Sequence, residues 1–270
     1  MTGGKDHRTQ DPAWLSLKLA YKIGRPGATP VPYTSSAYAL NYNPAQSVFE
    51  PPYTGSDAAG HSYTDEYMWN LCGPGATTAT LGYWSNPNLN IGGHTYTDPH
   101  TSTYWNNSNY RSYIMYIATQ TDPPYYTSPG EETYQTYPSA YASFDDVRDA
   151  LNWEASGHSS GWFNYFYTVV GASSLTLSNL QSDVQNDILN AQVPLIVSVN
   201  DGYLPDWPSG SHTSHFVTII GYNNTADFFT YAETCGSVSC GTQGTGIWTV
   251  NQQQLFNGIE NDNGNGGIIW

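Results

Sequence analysis

The chain has 270 residues, of which only 11% are charged, and its 7 basic against 22 acidic residues give a formal net charge of −15. Such a surface repels nucleic acid and anionic membranes, and no segment is apolar for long enough to span a bilayer. Polarity comes instead from Asn, Ser, Thr, Gly and 23 tyrosines, the composition of a secreted protein; in acid its carboxylates neutralise while few basic groups remain to repel one another.

The few cations are unevenly placed. Lys5, Arg8, Lys18, Lys22 and Arg25 fall in the first 25 residues, leaving Arg111 and Arg148 beyond them. Pro26, Pro30, Pro32, Pro44, Pro51 and Pro52 follow, as in an extended connection. Residues 1–55 therefore read as a basic, proline-rich arm on an acidic body (residues 56–270), or as an activation segment that loosens when the carboxylates protonate. The apolar run 13–20 is short and interrupted by Lys18. It does not read as a signal peptide, so secretion implies a signal already removed.

The next informative segment is Asn70-Leu71-Cys72-Gly73-Pro74-Gly75-Ala76. The chain has three cysteines, and Cys235 and Cys240 lie close together in a loop-like stretch where they can bridge, as suits an oxidising compartment. Cys72 is then the lone thiol. Gly73 lets the chain turn, Pro74 suits the first helical position, and 76–84 contains no proline. A helix starting there sets its positive end beside the sulfur, which favours thiolate. The plainer reading is a small buried hydrophobe ahead of a helix.

Further along, Tyr110, Ile114 and Ile117 share a helical face within 110–121, and Ser143 precedes a second helix with Phe144, Val147 and Leu151 aligned. A strand pattern covers 162–170. Ser178-Asn-Leu-Gln181 has capping-box form and opens a third helix with Leu180, Val184 and Ile188 on one stripe, running into an apolar strand at 193–199. Asp201-Gly202-Tyr203 follows as a possible rim of a cleft. His212 and His215 are three apart but have no clear third ligand, so no metal site is expected.

Phe216 to Tyr222 is a run of β-branched and aromatic residues, a buried strand with His215 at its first residue. After the turn Asn223-Asn224-Thr225 a second strand covers 227–233. If the two pair as a hairpin, Glu233 returns close to His215. Cys72 and His215 are 143 positions apart, similar to the thiol–imidazole gap of papain-type enzymes. Nucleophile, base and orienting carboxylate are the general form of a triad. A final strand at 246–250 and a short helix at 251–258 complete an α+β domain, with helices leading and strands following.

These motifs resemble the papain-like cysteine peptidases of the bacteriocin-leader-processing (double-glycine) type, and more closely the stand-alone secreted bacterial proteins that share that domain. The likeness covers roughly residues 60 to 260 and rests on Cys-Gly-Pro-Gly-Ala, on His-Phe-Val-Thr-Ile-Ile-Gly-Tyr, and on an acid one strand later. It implies a two-lobed fold, a helical lobe carrying Cys72 as nucleophile and an antiparallel sheet lobe carrying His215 as general base. Glu233 takes the place of an Asp or Asn. The family's glutamine six residues before the cysteine, which donates to the oxyanion, is replaced by Glu66. A protonated Glu66 can donate and an ionised one cannot; Asn70 or the backbone N–H of Cys72 are the alternatives, and an inactive relative is the fourth.

The expected activity is hydrolysis of peptide bonds through a thioester, by a monomer without cofactor acting on peptide or protein. An amidase or acyl transferase using the same site is the alternative enzyme. A binding module in which Cys72 and His215 are structural is the alternative outside catalysis.

Overall fold

The computed structural model describes residues 37–40, 55–56, 62–63, 72–84, 90–91, 94–95, 144–155, 167–191, 193–207, 214–233, 246–263 and 266–270. Short strands β1 (Ala37–Ala39), β2 (Gly55–Ser56) and β3 (Ser62–Tyr63) precede helix α1 (Cys72–Trp84). Strands β4 (Asn90–Ile91) and β5 (His94–Thr95), helix α2 (Phe144–Ala155), strand β6 (Val169–Gly171) and helix α3 (Leu177–Gln185) come next. Then follow β7 (Leu195–Asn200), β8 (Ser214–Asn223), β9 (Phe228–Glu233), β10 (Gly246–Asn251), helix α4 (Gln252–Glu260) and β11 (Gly267–Ile269). The class is α+β. Among the described residues the main sheet has seven strands in the order β10-β9-β8-β7-β11-β6, with β1 added alongside β8, and every pair is antiparallel.

The β8–β9 hairpin forms as its sequence pattern predicts. Asn223 accepts bonds from the backbone N–H groups of Thr225 and Ala226, and Asp227 turns the chain at a positive φ of 56°, a conformation Asp tolerates better than most residues. The strand from 214 to 223 is buried at all but its two end residues. Such near-continuous burial requires cover on both faces. Alternation along β8 sends Phe216 toward α2, where it meets Phe144 edge-on at 5.4 Å, and Thr218 toward α1. On the opposite face Val199 of β7 meets α4 at Gly258.

Leu180 and Val184 of α3 and Ile188 just beyond it are fully buried, each contributing on the order of 1.5–3 kcal/mol by leaving water. The helix cap differs from the expected Ser178. Thr176 is the cap, its side chain accepting from the Asn179 backbone N–H. A threonine at 176 and a serine at 178 offer competing caps, and the helix starts at the earlier one. Past Gln185 the helix widens into a π-helical turn, Asn186–Ala191, which delivers Val193 to the core. Of the segment 162–170, only Val169 and Val170 are in a described strand, with Gly171 added. β11, unanticipated in the short glycine-rich C-terminal run, fills the gap between β6 and β7. The helical pattern at 110–121 lies outside the described residues.

Candidate active site

Helix α1 begins with Cys72 itself, so Pro74 lies within the first turn, where the missing N–H costs no helical bond. Ala76, Thr77, Thr78, Ala79 and Thr80 are all fully buried. A helix enclosed on every side in this way is fixed by small side chains that admit close neighbours. Thr218 of β8 donates to the Ala76 carbonyl at 3.1 Å and meets the Thr80 hydroxyl at 3.5 Å. That pair of contacts ties the helix carrying Cys72 to the strand carrying His215, three residues from the histidine.

The sulfur is a free thiol, half-buried. It is near enough to the ring of His215 to favour the ring's charged form. The ring's Nε2 lies 2.9 Å from Oε1 and 3.0 Å from Oε2 of Glu233, which leaves Nδ1 free of the carboxylate. Both partners of this ion pair are buried, His215 at 4% exposure and Glu233 at 0%. Burial alone pushes the imidazole down. The Glu233 charge and hydrogen bond, together with Cys72, outweigh it, holding the ring's proton affinity well above the ordinary histidine value. The structure thus brings Glu233 onto the His215 ring and sets Cys72 near that ring. Glu66, Asn70, Cys235 and Cys240 lie outside the described residues.

Three further residues complete the surroundings. Trp207 sits over the His215 ring, centroids 4.9 Å apart and tilted by 56°, and its indole N–H donates to Oε2 of Glu233 at 3.3 Å. The turn that carries it is tightly bonded. Asn200 accepts from the Gly202 N–H, Leu204 N–H donates to the Asp201 carbonyl, and Trp207 N–H to the Leu204 carbonyl. Asp201-Gly202-Tyr203, expected as a cleft rim, is the start of this turn, with Asp201 fully buried. The sequence signal for Trp207 was its place between Pro205 and Pro208, eight residues ahead of the histidine.

Asp206 and Asp262 are buried acids that sequence reasoning missed. Asp206 accepts from the Tyr231 hydroxyl. Burial, followed by the Glu233 charge, pushes it up to about 6. Burial and the Asp206 charge likewise push the Tyr231 phenol well up. Asp262, in the turn after α4, accepts from Ser198 at 2.7 Å and Ser214 at 3.0 Å. Burial takes it to about 6 against the pull of those two hydroxyls. Ser214 immediately precedes His215, so this clamp fixes the first residues of β8. Isolated Asp residues in turn-like sequence carry no mark of such burial.

No protein-family model matches this chain, and no curated protein matches it. Among solved structures it is similar to a fragment of Prevotella intermedia prointerpain A, with a TM-score of 0.43 and 14% identity, covering 95% of this chain and 81% of that one. It is also similar to xylellain, a cysteine protease from Xylella fastidiosa, with a TM-score of 0.32 and 14% identity, covering 92% and 96%. Both likenesses are distant. Neither assigns a family.

Among the described residues no group of three His, Cys, Asp or Glu side chains is arranged to hold a metal ion. The chemistry available to the site is that of a thiol beside a buried, carboxylate-held imidazole.

Proposed function

We propose that this chain is a papain-like cysteine peptidase, of the kind related to bacteriocin-leader-processing enzymes, that hydrolyses peptide bonds. The observation that carries the reading is the ring of His215 held by both oxygens of Glu233, with the Cys72 thiol near enough to favour its charged form. A structural cysteine needs no such partner. A nucleophile needs a base within hydrogen-bond reach and a third group to orient that base.

In this reading His215 takes the thiol proton at Nδ1, and the sulfur attacks the peptide carbonyl. The imidazolium returns the proton to the leaving amine as the tetrahedral intermediate collapses to a thioester. Water, deprotonated by the same ring, then releases the acid and restores the thiol. Glu233 stabilises the imidazolium throughout, and Trp207 keeps bulk water from one side of that ion pair. The oxyanion is held by the Cys72 backbone N–H together with Glu66 in its protonated form or Asn70. We assign the chain to a secreted, monomeric enzyme with peptide or protein substrates and a working range on the acid side, as its composition suggests. An amidase or acyl transferase on cell-wall or peptide substrates would use the same three residues.

The deciding experiment is digestion of a diverse peptide pool near pH 4 and pH 7, read by mass spectrometry, with wild type and Cys72→Ala. Cleavage that vanishes in the variant is expected. Folded, reduced protein that cuts nothing at either pH would sink general peptidase activity.

A further inference from the structure

Behind the His215–Glu233 pair lies an acid that the reaction above does not use. Asp206 is fully buried. Its Oδ1 accepts from the Tyr231 hydroxyl, while its Oδ2 has no hydrogen-bond partner among the described residues. Tyr231 and Glu233 are two residues apart on β9, so both side chains leave the same face of the strand. Asp206 is also the chain neighbour of Trp207, whose indole holds Glu233. One turn and one strand thus bring two carboxyls within range of each other's charge and of the imidazole's.

The groups facing Asp206 are Tyr231 and Glu233 from β9 and His215 from β8. Cys72 of α1 faces the same histidine, and so does Asp262, itself close to Asp201. Arg148, the only Lys or Arg among the described residues, is engaged with Asp145 and Asp149 on α2. Among the described residues, therefore, no cation other than the imidazolium answers Asp206. A buried carboxyl with a single donor and another acid beside it is readily kept protonated. Once ionised, it is stabilised by the imidazolium and, by reciprocity, stabilises the imidazolium to the same extent.

We propose that Asp206 is a positioning residue that sets the pH range over which His215 remains an imidazolium: neutral in acid, it leaves the ring to Glu233, and ionised near neutrality it adds a second negative charge where an ordinary imidazole would give up its proton. The position of Asp206 near 6, set by burial and then by Glu233 against the pull of Tyr231 and His215, puts its change of charge in that interval. The inference deepens the reading of Cys72 and His215 as nucleophile and base, and rests on it.

The test follows the ring signals of His215 by NMR in isotope-labelled protein from about pH 4 to about pH 9, in wild type, Asp206→Asn and Tyr231→Phe. Asn is isosteric with Asp and keeps an oxygen for Tyr231, but it cannot ionise. The midpoint of His215 is expected to fall by about one pH unit, tenfold in proton affinity, in D206N. It should fall by less in Y231F, where the carboxyl loses its donor and ionises later. An unchanged midpoint in either folded variant overturns the inference. In cleavage assays the alkaline limb of kcat/KM should move with the midpoint; an equal loss at every pH would mark Asp206 as structural only and overturn it too. The NMR midpoint needs no substrate. Wild type that fails to cleave would therefore sink the peptidase assignment, while the titration still decides the role of Asp206.

Discussion

The His215 ring is held by Glu233 and covered by Trp207, and the weight of each neighbour can be measured singly. Both oxygens of Glu233 lie within 3.0 Å of Nε2. Replacing it by glutamine keeps an acceptor but removes the charge that does most to hold the proton on the ring. Glu233→Gln should lower kcat/KM about 100-fold and draw the alkaline limb toward acid, as steady-state kinetics across pH would reveal. A change confined to KM would instead make Glu233 a substrate-binding group. The contact of Trp207 with Glu233 was not legible, because its place between Pro205 and Pro208 marks a turn without saying what the ring covers. Its role depends on a turn whose backbone bonds are fixed only in three dimensions.

At the scale of elements, the junction between α1 and β8 decides whether thiol and imidazole meet. The Thr218 hydroxyl bridges that junction from a fully buried position. Thr218→Val preserves shape but leaves the Ala76 carbonyl without this donor, and should cost about 1 kcal/mol in urea unfolding, with activity falling more than stability because Cys72 shifts relative to His215. Intact activity in a destabilised variant would show the register to be held elsewhere. The hairpin and the α3 stripe were legible in the sequence because each repeats a hydrophobic period, and the Cys72 helix because Gly73 and Pro74 mark its start ahead of a proline-free run. The cap at Thr176, the π-helical turn after α3 and the three-residue strand β11 were not. Each is settled by competition between near-equal local choices or by pairing with distant strands, which periodicity does not record. Cys72, His215 and Glu233 were legible as a group for a different reason: Cys72 starts a helix, His215 stands near the start of a strand, and the hairpin length returns Glu233 to the histidine.

For the molecule as a whole, three buried groups make stability depend on pH in one direction. Asp206 and Asp262 are both raised from 3.8 to about 6. The native state therefore binds their protons more tightly, and stability grows as pH falls from about 6 toward 3.8. His215 is raised above 6.5, so the stability from its ion pair is complete below 6.5 and is lost as pH rises through the higher folded value. The net charge of −15 adds self-repulsion that acid relieves. Melting temperature should be higher near pH 4.5 than near pH 7.5, by roughly 5 °C, in scanning calorimetry. A lower value in acid would mean that carboxylates stabilised in their charged form outweigh these three groups.

Strand β1 has a consequence for how short the protein can be made. It pairs with β8 at the end away from His215, Tyr38 opposite Tyr222, and the Leu40 N–H donates to the Ile220 carbonyl at 2.8 Å. The approach is close enough that a side chain at Gly221 would meet Ala39 at 3.0 Å and the Tyr38 carbonyl at 3.1 Å, while Leu40 itself is part of the core. Trimming as far as residue 36 leaves every one of these bonds in place. Removing four residues more strips the neighbour from the last turn of the longest strand, bares an edge that other chains can pair with, and empties a leucine-sized space beneath it. A cut from the N-terminal side that keeps these bonds, whether made by a protease or a cloning primer, falls before Ala37.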